Sequence, residues 1–223
     1  MPFKQWILPA LMFCANLAFA APQPSLDAAL KRAAPDADPR VIELAVQSAQ
    51  CRAEQTRLEP TRLAVIDYSL PSTVPRLWVF DLPRRTLLFR ELVAHGRNSG
   101  ENLATHFSNE SQSLASSIGL YSTREPYTGR NGYSLRMDGL EPGFNDRAFE
   151  RDVVIHGADY VSDAFARENG RLGRSHGCPA VGSAVARPLI DTLKDGQLLF
   201  IYYPDAQWLK SSTFIHCAPT HQP

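Results

Sequence analysis

The run Gly170-Arg171-Leu172-Gly173-Arg174-Ser175-His176-Gly177-Cys178-Pro179-Ala180-Val181, GRLGRSHGCPAV, sets a cysteine between a glycine and a proline, two residues after a histidine. An unperturbed thiol has a pKa of about 8.5, so little of it is thiolate at neutral pH. A nucleophilic cysteine therefore needs a proton acceptor, usually a histidine. His176 is one candidate. His156 is the other, since it closes the apolar run Val153-Val154-Ile155 and is followed by Gly157. A histidine at a strand end projects its ring from the rim, where it can act on a cysteine in a nearby loop. Gly173 and Gly177 allow tight turns that bring backbone N–H groups close to a ligand. Such N–H groups can then hold the oxyanion of a tetrahedral intermediate.

Two other readings compete on chemistry alone. A cysteine near a histidine also serves as a buried structural residue. His95, His106, His156, His176 and Cys178 are possible zinc ligands, but none has the close C-x-x-C or H-x-x-x-H spacing of a typical site. No metal and no organic cofactor is expected.

The compartment bears on the thiol. Lys4, the mostly apolar run Trp6 to Phe19 and the small-x-small triplet Ala18-Phe19-Ala20 form the three-part pattern of a secretory signal peptide, residues 1–20. The apolar run is shorter than the roughly 20 residues a bilayer span needs. A periplasmic or cell-wall location without a membrane anchor is expected. Cys51, Cys178 and Cys217 remain after cleavage. An odd count outside the cytoplasm leaves one thiol without an intramolecular partner. The simplest division pairs Cys51 with Cys217 and leaves Cys178 free; the alternative keeps all three reduced. Basic and acidic residues balance at 23 each, which offers no electrostatic case for binding nucleic acid or an anionic membrane. A monomer is expected.

Along the chain, Ser25 can cap a helix through Leu30, and Asp38-Pro39 marks a second start. Val41, Leu44, Ala45 and Ala49 give that helix its apolar face, and it carries Cys51 and stops before Pro60. This helical segment, residues 21–60, precedes a mainly β domain over residues 61–223. Strands are predicted over Leu63–Tyr68, Arg76–Asp81, Thr86–His95, Ser117–Thr123, Tyr133–Met137, Asp152–His156 and Gln197–Tyr203. Asp81-Leu82-Pro83-Arg84 reads as a hairpin turn, and Ser183–Leu193 as a late helix stopped by Asp195-Gly196. The expected fold is a mainly β sandwich or barrel, antiparallel, with a few peripheral helices.

Val153-Val154-Ile155-His156-Gly157-Ala158, followed by Ser175-His176-Gly177-Cys178, resembles the signature of the YkuD-type L,D-transpeptidases of bacterial cell walls. The resemblance extends to the subgroup of murein L,D-transpeptidase catalytic domain proteins. It runs through Ala94-His95-Gly96-Arg97-Asn98-Ser99-Gly100, Thr105-His106-Phe107-Ser108-Asn109, Gly119-Leu120-Tyr121 and Gly143-Phe144-Asn145-Asp146. It covers Leu63 to Tyr203. The widespread form of the family follows the cysteine with an apolar residue and then Arg or Asn. Here Pro179-Ala180 stands instead, so no substrate contact of that residue carries over.

The resemblance implies a YkuD-like fold and these roles. Cys178 is the nucleophile and His156 the general base, oriented by the carbonyl of Gly157 in place of a triad carboxylate. His176 shapes the pocket or tunes the thiolate, Gly177 contributes to the oxyanion site, and Ser175 supports the loop. Tyr121 lies on a strand beside the site. His95, His106, Ser108 and Asn109 are grouped with a polar region, 98–113, expected to form a substrate-facing loop, and Arg124, Arg130 and Arg174 are candidates for a stem-peptide carboxylate. The implied partner is the tetrapeptide stem of peptidoglycan, cleaved with release of D-Ala and joined into third-to-third-residue cross-links. Water as acceptor would make the protein an L,D-carboxypeptidase. A stem-peptide amidase and a non-catalytic peptidoglycan-binding protein are the other readings.

Overall fold

The computed structural model describes residue 1 and residues 24–217. The signal-peptide pattern lies, beyond Met1, outside the described residues. Among the described residues no helix is long and apolar enough to cross a membrane.

Among the described residues nine strands form one sheet. In chain order they are β1 (Arg62–Asp67), β2 (Leu77–Asp81), β3 (Thr86–Glu91), β4 (Val93–Ala94), β5 (Gly119–Gly129), β6 (Gly132–Gly139), β7 (Val154–Ala158), β8 (Ala180–Gly182) and β9 (Leu198–Tyr202). Their spatial order is β3-β2-β1-β9-β5-β6-β7-β8-β4. The two edge strands, β3 and β4, are consecutive in sequence and separated only by Leu92. The single strand expected over Thr86–His95 is thus broken in two. Its first half finishes one edge of the sheet and its second half starts the other, which curls the sheet into a nearly closed barrel.

The sheet is not wholly antiparallel as expected. β1 pairs parallel with β9, and β7 with β8. Parallel neighbours need a crossover connection. Between β7 and β8 it is supplied by α3 (Asp163–Asn169), a helix absent from the sequence reading. Its N-cap is Ser162, whose hydroxyl accepts the Phe165 N–H at 3.2 Å.

The helices sit outside the sheet. α1 (Leu26–Ala33) and α2 (Pro39–Thr56) pack together, and α2 lies against β1 and β9. Asp38 caps α2 by accepting the Arg40 N–H at 2.7 Å, with Pro39 at the first helical position. Val41, Ile42, Ala45 and Ala49 of α2 belong to the same apolar core as Leu63, Val65, Phe80 and Phe200 of the sheet. The N-terminal helices are therefore built into the β domain's core rather than appended to it. α4 (Ser183–Leu193), as predicted, covers β7, and α5 (Ala206–Ser211) brings Trp208 into the core. Cys51 and Cys217 are joined in a disulfide that ties α2 to the C-terminal end of the described chain.

Candidate active site

Cys178 is a free, buried cysteine at the end of the Ser175–Cys178 loop, just before β8. The parallel register pairs His156 of β7 with Ala180 of β8. Carried two residues back, this places Val154 beside Cys178. The Val154 N–H points at Cys178 Sγ at 3.4 Å, and Sγ faces the Asp152 carbonyl at 3.6 Å. Both are weak sulfur contacts. Burial pushes the thiol pKa up, while the Val154 N–H and the Arg151 guanidinium act against that rise.

His156 is 5 % exposed, and its Nδ1 lies 2.9 Å from the Gly157 carbonyl. Burial pulls its pKa below the ordinary histidine value, with the Gly157 carbonyl opposing. Gly157 must be small. A Cβ there would lie 2.9 Å from Cβ of Ala186, because α4 crosses β7 at this point. His156 and Cys178 line the same cleft of about 260 Å³, together with Arg130, Asn131, Tyr160 and Arg174. A second cleft of about 630 Å³ meets the first at Cys178, His176, Arg130 and Asn131, and extends to Tyr127, Glu150 and Arg151. Among the described residues no hydrogen bond joins Sγ to the His156 ring.

The other predicted residues fall into two groups. His176 is exposed and stands between the two clefts. Ser175 Oγ donates to the Cys178 carbonyl at 2.6 Å and accepts the Gly177 N–H at 3.1 Å. The Gly177 amide is therefore already engaged. Arg174 lines the smaller cleft but is paired with Glu101 and bonded to the Gly100 carbonyl at 3.1 Å. Arg130 lines both clefts, whereas Arg124 is paired with Asp138 at 2.7 Å.

Three predicted substrate contacts are not brought to Cys178. Tyr121 is fully buried and donates to Ser117 Oγ at 2.8 Å, so its ring belongs to the core and cannot meet substrate. Asn109 is committed to Asp146 at 2.7 Å and to the Arg147 N–H at 3.2 Å. His106 is exposed and lines neither of the clefts at Cys178. His95 is also buried in a structural role: Arg76 Nη2 lies 2.8 Å from its Nδ1, and burial drives its pKa to about 4.

Arg151 escaped the sequence reading. Its guanidinium donates to the carbonyls of Ser108 and Ala115 at 2.7 Å each and to Ser113 Oγ at 3.0 Å. It thereby holds the 108–117 segment as one wall of the larger cleft. Its position just ahead of the Val153-Val154-Ile155-His156 run was the available signal. Among the described residues no group of His, Cys, Asp and Glu side chains is arranged to hold a metal ion.

The sequence of residues 33–202 matches the family profile of the L,D-transpeptidase catalytic domain. The chain belongs to this family. No curated protein matches it. Similar solved structures include an L,D-transpeptidase from Mycobacterium smegmatis, at 13% identity over 65% of this chain and 59% of that one, with a TM-score of 0.40. The helical cell shape determining protein Pgp2 from Campylobacter jejuni matches at 11% identity over 65% of this chain and 48% of its own, with a TM-score of 0.40. An L,D-transpeptidase from Stackebrandtia nassauensis matches at 14% identity over 74% and 68%, with a TM-score of 0.38. The aligned part thus spans about half to two thirds of these proteins' lengths.

Proposed function

We propose that the protein is a peptidoglycan L,D-transpeptidase that works through a thioester on Cys178. The observation that carries this reading is the placement of one free cysteine and one neutral-favoured histidine in the same cleft, on the loop and strand of a parallel pair. The Gly157 carbonyl can only accept, so the neutral His156 ring carries its proton on Nδ1 and leaves Nε2 as the base.

Rotation about the Cys178 side-chain bond releases Sγ from its two weak contacts and turns it toward the ring. Sγ attacks the carbonyl carbon of the third stem residue and its proton passes to His156 Nε2. The C–N bond to the terminal D-Ala breaks, and the leaving amine takes that proton. An amine of a second stem then attacks the thioester. Its proton passes through His156 back to sulfur, and a third-to-third-residue cross-link forms as the C–S bond breaks. No step needs a cofactor. We place the protein in the periplasm, at the cell wall, on the strength of the apolar run and cleavage triplet at its N-terminus.

Incubating the purified protein with tetrapeptide muropeptides and weighing the products tests this. A cross-linked dimer with loss of D-Ala, absent with Cys178→Ala, is expected. A tripeptide alone would identify a carboxypeptidase, release of the whole stem an amidase, and unchanged muropeptides a binding protein.

A further inference from the structure

The loop ahead of Cys178 contains a glycine whose φ is +119°, and loop glycines move freely unless something restrains them. Besides Ser175, which holds the Gly177 N–H, the restraint on its carbonyl is Ser116, a residue outside every catalytic motif and 1 % exposed. Its hydroxyl accepts the Gly96 N–H at 3.0 Å and lies 3.0 Å from the Gly177 carbonyl. A carbonyl can only accept, so in this contact the hydroxyl is the donor to Gly177. Ser116 is itself fixed at both ends. Its N–H donates to Ser99 Oγ at 2.8 Å, and its carbonyl accepts the Ser108 N–H at 3.0 Å.

The consequence falls on the next amide. There are no cis peptides among the described residues, so the Gly177 carbonyl and the Cys178 N–H point in opposite directions. With the carbonyl tied to Ser116, the N–H is directed to the other side. Among the described residues that N–H has no acceptor. The Cys178 carbonyl is tied separately by Ser175. The peptide groups on both sides of Cys178 are thus held, and one donor is left open beside the sulfur.

We propose that Ser116 is a positioning residue that orients the Gly177–Cys178 peptide, so that the Cys178 N–H receives the oxyanion formed when Sγ attacks a carbonyl. The hydrogen bond to the Gly177 carbonyl also polarises the same amide and strengthens its N–H as a donor. This role rests on Cys178 being the nucleophile.

Two reactions at one sulfur separate positioning from mere structural support. Acylation by a carbapenem forms a C–S bond at the lactam carbonyl, whose oxygen takes up negative charge before the lactam C–N bond breaks and its nitrogen takes a proton. Alkylation by iodoacetamide forms a C–S bond while iodide leaves, and no carbonyl oxyanion arises. Both rates are measured at Cys178 by peptide mass, well below the melting temperature of each variant. Ser116→Ala is expected to slow acylation by about ten-fold or more while alkylation stays within about two-fold. Ser116→Cys keeps the shape with a far weaker donor, and serves if the alanine variant does not fold; its acylation should fall in the same selective way. Equal slowing of both reactions, or of neither, overturns the positioning role. Failure of the wild-type protein to acylate at Cys178 overturns the nucleophile assignment, and the role of Ser116 with it.

Discussion

His156 points Nδ1 at the carbonyl of its own neighbour, Gly157, at 2.9 Å. The acceptor belongs to the backbone, so the ring's orientation is set by the path of β7 rather than by a third catalytic side chain. Burial holds His156 below its ordinary pKa and Cys178 above its own. At neutral pH the pair therefore rests as imidazole and thiol rather than as an ion pair.

That resting state predicts a pH profile. A lowered histidine pKa means the base is free over a wider range. Acylation of Cys178 should rise with pH through a midpoint below 6.5, the ordinary histidine value. Alkylation by iodoacetamide follows the thiolate instead and should have its midpoint above the ordinary thiol value. Rates measured from acid to alkaline pH check both. A single shared midpoint near neutrality would indicate an ion pair and refute the neutral resting state.

The two histidines should differ in weight. On the proposed mechanism His156→Ala removes the base, and it is expected to slow acylation roughly 100-fold or more. His176 is exposed between the clefts, and His176→Ala should cost less than about ten-fold, as for a group that shapes the site without moving the proton. Acylation rates of the two variants at matched thermal stability decide. A larger loss at His176 would reverse their roles.

Gly177 is predicted to be irreplaceable. At φ +119° an L side chain is strained, and a Cβ would lie 2.8 Å from the Ala115 carbonyl oxygen. Strain of this kind costs about 1–3 kcal/mol. Gly177→Ala should lower the melting temperature and slow Cys178 acylation together. A variant with wild-type acylation would show that the loop tolerates another backbone path.

The Cys51–Cys217 bridge closes a separation of 166 residues and should matter for stability alone. The chain-entropy view sets its contribution at no more than about 5 kcal/mol. The double variant Cys51→Ala, Cys217→Ala should melt at lower temperature, with acylation at Cys178 within about two-fold of wild type while folded. Native alkylation of both cysteines without reductant would count against the bridge.

Much of this was legible along the chain. The strands of β1, β2, β5, β6, β7 and β9 announce themselves by β-branched and aromatic runs between turn residues, α2 by its cap and spacing, and α4 by the Asp195-Gly196 stop that follows it. The proximity of His156 and Cys178 was suggested by motif. What local pattern leaves open is which surfaces meet. β8 is three residues long and has no periodicity to read. Its parallel pairing with β7 exists only because α3 carries the chain back, and that pairing delivers Cys178 to His156. Tyr121 and Asn109 matched motif positions, yet the sheet turned one into the core and Asp146 engaged the other. Ser116 gave no local signal and Arg151 only its place ahead of a strand, for the converse reason. Their value lies in hydrogen bonds to residues as many as 61 and 43 positions away, to Gly177 and Ser108. Composition and spacing determined the elements and the reactive side chains, because these depend on near neighbours in sequence. Only closure of the sheet decided which backbone groups surround the sulfur, because buried donors and acceptors must find partners wherever the fold brings them.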